Sequence, residues 1–294
     1  MIKVSCFGEV LWDVFPTHKK IGGAPLNVAV RMKSMGNETS VISRIGDDED
    51  GKKIVNFLKD NQVDTSGIQV DSQYKTSTVE VTLDQNGAAS YEIVHPRAWD
   101  KIECTPTAIA LAKSADAFIF GSLSSRDAIT RTTLYELLKW ANYKIFDVNL
   151  RPPYYNAEVL HHLMNEADLI KFNDEEIFEI ARLMHSNAQT LEETIVFIAE
   201  KTHTDCICVT KGGAGAVLFF EGKFYYNSGY KVTVVDTVGA GDSFLATLIS
   251  KIMKQTAPQE ALNYACAMGA LVASNEGANP IINEEELTQL MGMS

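Results

Sequence analysis

The sequence predicts an α/β fold, with a mostly parallel central sheet flanked by helices and a small β-sheet lid. Short apolar runs typical of buried parallel strands alternate with longer amphipathic runs along most of the 294 residues. One segment instead has the pattern of an antiparallel hairpin. A chain of this length buries a sizeable core, and it contains no internal repeat and no linker.

The strand-like runs come in the order expected of parallel strands joined by crossover helices. They cover residues 2–7, 39–45, 116–120, 144–148, 168–172, 205–210 and 231–235. A further hairpin is predicted over 217–226. Open α/β sheets bind ligands at the carboxyl ends of their strands, so site residues are expected there.

Residues 76–83 and 89–94 flank the turn Asp84-Gln85-Asn86-Gly87, whose Asn-Gly pair is a strong hairpin signal. An isolated hairpin is marginal in water, so this insert must cover another surface. It is interpreted either as decoration or as an active-site lid, to which residues 10–20 add strands. We predict a β lid of residues 10–20 and 76–99 and an α/β core of residues 1–9, 21–75 and 100–294.

Composition excludes several classes of protein. Hydrophobic residues make up 46% and charged residues 22%, which argues against disorder, collagen-like repeats and coiled coil. The net charge of −12 and the lack of a Lys/Arg block argue against a nucleic-acid partner. The sequence has neither a signal-peptide pattern nor the 18 or more apolar residues of a membrane helix, so no membrane partner is expected.

The five cysteines are odd in number and scattered, in a chain that does not need disulfides. We interpret them as reduced, buried residues, which predicts a cytoplasmic location. Cys206 and Cys208 share one strand face, but no second cysteine pair completes a zinc site. No transition metal is expected.

The run Asp236–Phe244 is the most informative motif, because a strand end and a glycine-rich turn are followed by a helix start. The backbone N–H groups of Gly239, Ala240 and Gly241 can point at an anion, and the helix dipole adds positive charge there. Asp242 in this turn would repel that anion unless it has a task. It is interpreted as a base that removes a proton from an attacking hydroxyl, with a helix cap as the alternative.

A second glycine-rich turn covers residues 210–216, before strand-like residues. A dinucleotide fingerprint needs a helix directly after its glycines, so a nucleotide-cofactor oxidoreductase is disfavoured. A Walker loop is also absent. The turn, with Thr210, Gly212 and Gly215, is interpreted as a second phosphate-side loop.

These two turns, together with Gly22–Ala29, resemble the ribokinase/PfkB family of carbohydrate kinases from Gly8 to Gly277. The resemblance implies ATP with Mg²⁺ as phosphoryl donor, and frequently a potassium ion beside the anion hole. It makes Asp242 the catalytic base and places Gly239, Ala240 and Gly241 on the anion hole. The potassium site inferred from it lies at Asp236 and Thr237.

The sugar side is predicted from the first strand onward. Asp13 follows that strand and can accept two hydroxyls, with a solvated loop acid as the alternative. Gly22 and Gly23 allow close backbone approach, and Asn27, on the first turn of a helix that Pro25 opens, offers a donor and an acceptor. Asp13, the two glycines and Asn27 match sugar-site positions of the family.

Asp147, Asn149 and Arg151 alternate after an apolar strand, which predicts one shared face. An internal Asp/Arg salt bridge is the alternative. The Asp-x-Asn-x-Arg pattern resembles the fructokinase and ketodeoxygluconate kinase branch and favours an unphosphorylated sugar. Arg97 resembles an arginine that lies over the sugar at the exit of the lid in bacterial fructokinases.

Asn173 and Glu176 start a helix after the strand 168–172, where an acidic N-cap cluster is the plain interpretation. They also match the family's Asn-x-x-Glu motif, which implies that Glu176 holds Mg²⁺ through water.

The resulting prediction is ATP-dependent phosphorylation of a free hexose, D-fructose, at a primary hydroxyl. The alternatives are a kinase for ribose or 2-keto-3-deoxygluconate and a catalytically idle sugar sensor. The expected partners are a small-molecule sugar and ATP. Pairing of two lids in a homodimer stays open.

Overall fold

A computed structural model describes residues 1–15, 17–83 and 89–292 and confirms the α/β fold with a second, smaller sheet. The central sheet has nine strands. In spatial order they are β13 (Lys223–Asn227), β12 (Ala216–Phe220), β11 (Cys206–Thr210), β10 (Leu169–Asn173), β9 (Tyr143–Asp147), β8 (Ala117–Gly121), β1 (Lys3–Phe7), β4 (Glu38–Gly46) and β5 (Ile68–Asp71). All neighbours are parallel except β11 with β12 and β12 with β13, which are antiparallel.

The small sheet has the order β3 (Lys19–Gly22), β2 (Leu11–Val14), β6 (Ser77–Leu83) and β7 (Ala89–Ile93). Strands β2 and β6 are parallel, and the other two pairs are antiparallel. The predicted pairing of the hairpin and the added strands near the N-terminus are both present. The predicted turn at 84–87 lies outside the described residues.

Helices cover both faces of the central sheet. They are α1 (Ala24–Ser34), α2 (Glu49–Asp60), α3 (Pro106–Ser114), α4 (Ala128–Leu138), α5 (Ala157–Glu166), α6 (Asp174–Leu183), α7 (Leu191–Thr202), α8 (Ala240–Met253), α9 (Pro258–Ala273) and α10 (Glu284–Leu290). One buried apolar cluster lies under α1, α2, α8 and α9, and a second lies under α3 to α7. Two buried faces explain why the strands have nearly continuous apolar runs rather than alternating ones.

Six of the seven predicted core strands and the 217–226 hairpin are confirmed within one or two residues, but the strand predicted at 231–235 is wrong. Val234 and Val235 are 62% and 56% exposed, and the segment contacts the end of α9 through the Val235 N–H, which donates to Ala273 O at 2.8 Å. β-branched residues favour strands, yet none of the strands in the described part of the chain pairs with this segment.

The cysteine prediction is correct for four residues and wrong for one. All five thiols are free, and four of them are buried, but Cys104 is exposed in the connection before α3. Among the described residues, no helix is both long and apolar enough to cross a membrane.

The topology places several chain segments at one edge of the sheet. The carboxyl ends of β1, β9, β10 and β11 lead to Gly8, Val148, Asp174 and Lys211, respectively. The strand order reverses between β1 and β8, because the chain first proceeds to β4 and β5 and then returns to the other side of β1. Such a switch point is where open α/β sheets form their ligand crevice.

Candidate active site

The turn before α8 has the geometry of an anion site. Gly239 has φ +75°, and a Cβ there would lie 2.5 Å from Ala278 Cα, so only glycine fits. The N–H groups of Gly239, Gly241 and Asp242 donate to no acceptor within the described part of the chain. Ala240 differs from the prediction, since its N–H donates to Thr237 O at 3.3 Å and is used inside the turn.

Asp242 is half-buried beside this turn and does not cap its helix. Its carboxylate accepts no hydrogen bond from the backbone of α8, and Gly239 stands at the N-cap position. Instead Asn27 Nδ2 donates to Asp242 Oδ2 at 2.8 Å, and Asn279 Nδ2 donates to Asn27 Oδ1 at 3.0 Å. The structure therefore gives no support to the cap interpretation.

Burial raises the pKa of Asp242 to about 6, with a further increase from the nearby Asp147 carboxylate. The Asn27 amide, Lys171 and Arg151 act in the opposite direction. A carboxylate with this pKa is mostly ionised at neutral pH, yet it is a stronger base than an exposed aspartate. The pKa therefore suits proton removal from a bound hydroxyl.

Lys171, on β10, is a buried cation that the sequence analysis missed. It is 7% exposed, its Nζ donates to Asp147 Oδ1 at 2.8 Å, and a Cβ on Gly241 would lie 3.7 Å from Nζ. Burial alone would lower the pKa of Lys171, but Asp147 and Glu176 raise it above its ordinary value. Lys171 thus places a permanent positive charge next to the glycine turn.

The extended backbone predicted through Asp147, Asn149 and Arg151 is wrong after Asp147. Strand β9 ends at Asp147, and Asn149 has φ +39°, which breaks the alternation of side chains. The alternative of an Asp147–Arg151 salt bridge is also wrong, because Asp147 pairs with Lys171. Arg151 is exposed and donates to Leu150 O at 2.9 Å, and its charge lowers the pKa of Asp242.

Asp13 lies on β2 of the small sheet, opposite Lys20 on β3. Burial raises the pKa of Asp13 to about 6, while Arg151 acts in the opposite direction. A Cβ on Gly22 would lie 2.5 Å from Asp13 Oδ2. Gly22 therefore makes room for the Asp13 carboxylate, a different reason for glycine from the one predicted.

Glu9 lies two residues after the end of β1 and was also missed. It is 4% exposed, and its Oε2 has no hydrogen-bond partner among the residues the structure describes. Burial raises the pKa of Glu9 to about 7, and Arg151 opposes this. Glu9 lines a narrow recess with Asp147 and Asn149 at the β1/β8 switch point.

Gly23, with φ +110°, is required by the backbone of Glu9, because a Cβ there would lie 2.5 Å from Glu9 O. The sequence signal that could have identified Glu9 is an acidic residue just beyond the carboxyl end of a buried strand.

Asn173 and Glu176 form a reciprocal cap at the start of α6. The Glu176 N–H donates to Asn173 Oδ1, and the Asn173 N–H donates to Glu176 Oε2, both at 2.8 Å. Glu176 Oε1 accepts the Leu150 N–H at 2.8 Å, which ties α6 to the segment after β9. Burial raises the pKa of Glu176, and Lys171 opposes this.

Asp236 connects the glycine turn to two other segments. Its carboxylate accepts the N–H groups of Val238 at 3.0 Å and Gly277 at 3.1 Å, and Lys20 Nζ at 3.2 Å. These bonds hold the pKa of Asp236 below its ordinary value, although burial alone would raise it. Lys20 therefore brings strand β3 of the small sheet to the glycine turn.

In the second glycine-rich turn, a Cβ on Gly215 would lie 2.0 Å from Asn227 O, whereas Gly212 faces open space. Thr210 donates its hydroxyl to Phe172 O at 3.3 Å. The turn leads directly into β12, as predicted. The two glycines are needed for different reasons. Gly215 allows the close approach of two backbone segments, and Gly212, with φ +53°, allows the turn itself.

Three kinds of comparison relate this chain to known proteins. The family model described as pfkB family carbohydrate kinase matches residues 2–285. The chain is 31% identical over 315 residues to the probable chloroplastic fructokinase-6 of Arabidopsis thaliana, covering 96% of this chain and 80% of that protein. It is 28% identical over 295 residues to a fructokinase of Salmonella typhimurium, covering 94% of both.

Solved structures show the same fold. A fructokinase with bound ATP from Xylella fastidiosa has a TM-score of 0.86 at 22% identity, covering 99% of this chain and 98% of that one. A putative ribokinase II from E. coli has a TM-score of 0.87 at 21% identity and is covered completely, as is this chain.

Proposed function

This chain belongs to the pfkB family of carbohydrate kinases, and on that premise we propose that it transfers the terminal phosphoryl group of ATP to a primary hydroxyl of D-fructose. The observation that carries the proposal is the Asp242 carboxylate, held by Asn27 beside three backbone N–H groups that have no acceptor among the described residues. Curated relatives at about 30% identity are fructokinases, including fructokinase-2 of Solanum lycopersicum. A fructokinase from Vibrio cholerae, 24% identical, was solved with fructose and ADP bound.

The proposed reaction uses the turn and Asp242 together. The sugar hydroxyl loses its proton to Asp242 Oδ1, the oxygen that Asn27 does not occupy, while the hydroxyl oxygen forms a bond to the terminal phosphorus. The bond between that phosphorus and the bridging oxygen breaks, and ADP keeps the electron pair. The N–H groups of Gly239 and Gly241 donate to the transferred phosphoryl oxygens, and Lys171 adds positive charge beneath them.

Mg²⁺ is proposed to be held near Glu176 through water. Each Glu176 oxygen accepts one backbone N–H and keeps a second lone pair for a water molecule, so the donors fit an ion that retains its hydration shell. When bound, Mg²⁺ neutralises charge on the phosphates.

Two further assignments complete the proposed site. Asp236 and Thr237 are proposed to offer carbonyl groups to K⁺. Thr210, Gly212 and Gly215 are proposed to face the nucleotide.

Coupled-assay turnover with ATP and Mg²⁺ tests the substrate. We expect the highest kcat/KM with fructose in a panel that also contains glucose, ribose, 2-keto-3-deoxygluconate and adenosine. A much higher kcat/KM with another acceptor would make that acceptor the substrate in place of fructose, and binding without any turnover would indicate a sugar sensor.

The same panel, run in potassium and in sodium buffer, tests the proposed potassium site. Equal rates in the two buffers would contradict that site.

The pH dependence tests the base. We expect kcat to fall below about pH 6, because protonated Asp242 cannot accept a proton. At about pH 5 only about a tenth of the molecules have Asp242 in its ionised form. Glu9, with a pKa of about 7, and Asp13, with a pKa of about 6, also titrate here. Glu9→Gln and Asp13→Asn therefore serve as controls, and a limb that persists in both variants belongs to Asp242. A kcat that stays constant down to about pH 5 would contradict this assignment.

The small sheet is proposed to close over the sugar and to exclude water, so that the hydroxyl rather than water receives the phosphoryl group. Arg97 follows its last strand, is half-buried, and has an Nε without a partner in the described structure. Arg97→Ala is expected to reduce kcat for the sugar more than it weakens ATP binding. If saturating fructose leaves the hydrogen exchange of β6 and β7 unchanged, the closure is wrong.

A further inference from the structure

A buried side-chain cluster holds the segment that connects the small sheet to the core. Strand β7 ends at Ile93, and residues 94–97 lead into a short 3₁₀ turn over Ala98–Lys101. Arg126, from the connection after β8, donates from Nη2 to Val94 O at 2.9 Å and from Nη1 to Ile93 O at 3.4 Å. The Tyr154 hydroxyl donates to the same Ile93 carbonyl at 2.9 Å.

The Arg126 guanidinium is itself fixed on every side. Its Nε and Nη2 donate to the two Asp100 carboxylate oxygens at 2.7 and 2.8 Å. The rings of Trp99 and Tyr154 lie 4.0 and 4.7 Å from its Cζ. The side chains of Arg126 and Asp100 are 1% and 0% exposed. Only arginine combines a two-pronged fit to a carboxylate with stacking on aromatic rings.

Net stability is a poor explanation for this pair, because apolar residues of the same volume often stabilise a fold as well or better. What the pair does supply is a fixed backbone geometry. Asp100 Oδ2 also accepts the Arg97 N–H at 2.7 Å, so the carboxylate that holds Arg126 also fixes the backbone of Arg97.

Tyr154 extends the cluster to the second arginine of the proposed sugar side. Its N–H donates to Arg151 O at 2.8 Å, while its hydroxyl reaches the end of β7. The charge of Arg151 opposes the increase in pKa that burial causes at Glu9, Asp13 and Asp242. One cluster therefore joins the exit of the small sheet to the loop that carries Arg151.

We propose that Arg126 is a positioning residue for the sugar, acting through Asp100 on Arg97 and through Tyr154 on the Arg151 loop. The inference rests on the proposed function, which assigns Arg97 and Arg151 to the sugar side. Arg126 itself is not proposed to contact the sugar or ATP. If the cluster only stabilised the fold, its disruption would lower the melting temperature and leave the sugar kinetics unchanged.

Arg126→Lys tests the proposal while keeping a positive charge for Asp100. A lysine lacks the planar fork, so it cannot reproduce the bonds to Asp100, Ile93 and Val94 together. We expect kcat/KM for the sugar to fall about 100-fold, the scale of a small misplacement of reacting groups, with KM for ATP unchanged. Tyr154→Phe removes one hydroxyl and is expected to lower the same constant about fivefold.

A double-mutant cycle with Arg97→Met identifies the route. If Arg126 acts through Arg97, then Arg126→Lys costs clearly less in the Arg97→Met background than in the wild-type chain. Lys144→Met is the control, since it breaks the ion pair to Glu166 at the amino end of β9 and should leave the sugar kcat/KM unchanged. Equal costs in both backgrounds, or unchanged sugar kinetics in both Arg126→Lys and Tyr154→Phe, overturn the proposal.

Hydrogen exchange separates this inference from the proposed function. The kinetics use whichever sugar of the panel the wild-type chain phosphorylates. If it phosphorylates none, the proposed function fails, and exchange of a peptide over residues 92–101 decides the positioning role alone. Arg126→Lys is expected to speed exchange there, and an unchanged rate overturns the fixing of Arg97.

Discussion

Replacing Asp242 by asparagine is expected to lower kcat by ~10²–10⁴, with the affinities for fructose and ATP nearly unchanged. An asparagine oxygen can still accept the hydrogen bond that Asn27 Nδ2 makes at 2.8 Å, so the shape of the site is kept. The amide cannot take a proton at neutral pH. Steady-state kinetics with both substrates, together with equilibrium binding, measure the separation of kcat from affinity.

Glu193→Gln provides the matched control for a carboxylate that serves only its helix. The Glu193 carboxylate accepts the N–H of Thr190 at the start of α7. Glutamine keeps an oxygen that can accept this bond, so the variant is expected to retain full activity. An Asp242→Asn variant that kept more than about a tenth of the wild-type kcat would contradict the base assignment and make Asp13 the next candidate.

Lys171→Met is expected to lower the free energy of unfolding by about 3–5 kcal/mol. The substitution leaves the Asp147 carboxylate buried at 4% exposure without the cation that lies 2.8 Å away. The penalty comes from an unpaired buried charge rather than from the lost attraction alone. Urea unfolding of the variant and the wild-type chain at the same pH measures the difference.

Two further variants define what this loss means. Lys144→Met breaks a more exposed ion pair with Glu166 and is expected to cost about 0–1 kcal/mol. The double variant Lys171→Met with Asp147→Asn removes both charges and is expected to recover part of the stability. If Lys171→Met unfolds no more easily than Lys144→Met, the loss of Lys171 does not leave an unpaired buried charge on Asp147. The explanation of this cluster by charge pairing is then wrong.

The sequence predicted those parts of the molecule that depend on local patterns. The order of the core strands, the hairpin insert and the glycine turn before α8 depend on residues that are neighbours in the chain. The strand predicted at 231–235 failed because β-branched residues favour extended backbone without supplying a partner strand.

The remaining parts of the site depend on contacts between distant segments. Lys171 reads as one polar residue in an apolar strand, and its importance follows from Asp147 on the neighbouring strand and from Gly241. Asn149 adopts a left-handed backbone that an alternating pattern does not reveal. Asn27 meets Asp242 across 215 residues of sequence, a contact that the order of motifs could only suggest.

Phosphorus NMR of the products formed from ATP, Mg²⁺ and fructose by the wild-type chain tests the central claim most directly. We expect ADP together with a single phosphate ester on a primary carbon of fructose, in equal amounts. When Asp242→Asn replaces the wild-type chain for the same time, we expect at most about a hundredth of either product. Inorganic phosphate in place of the ester, or an unchanged mixture of ATP and fructose, would contradict it.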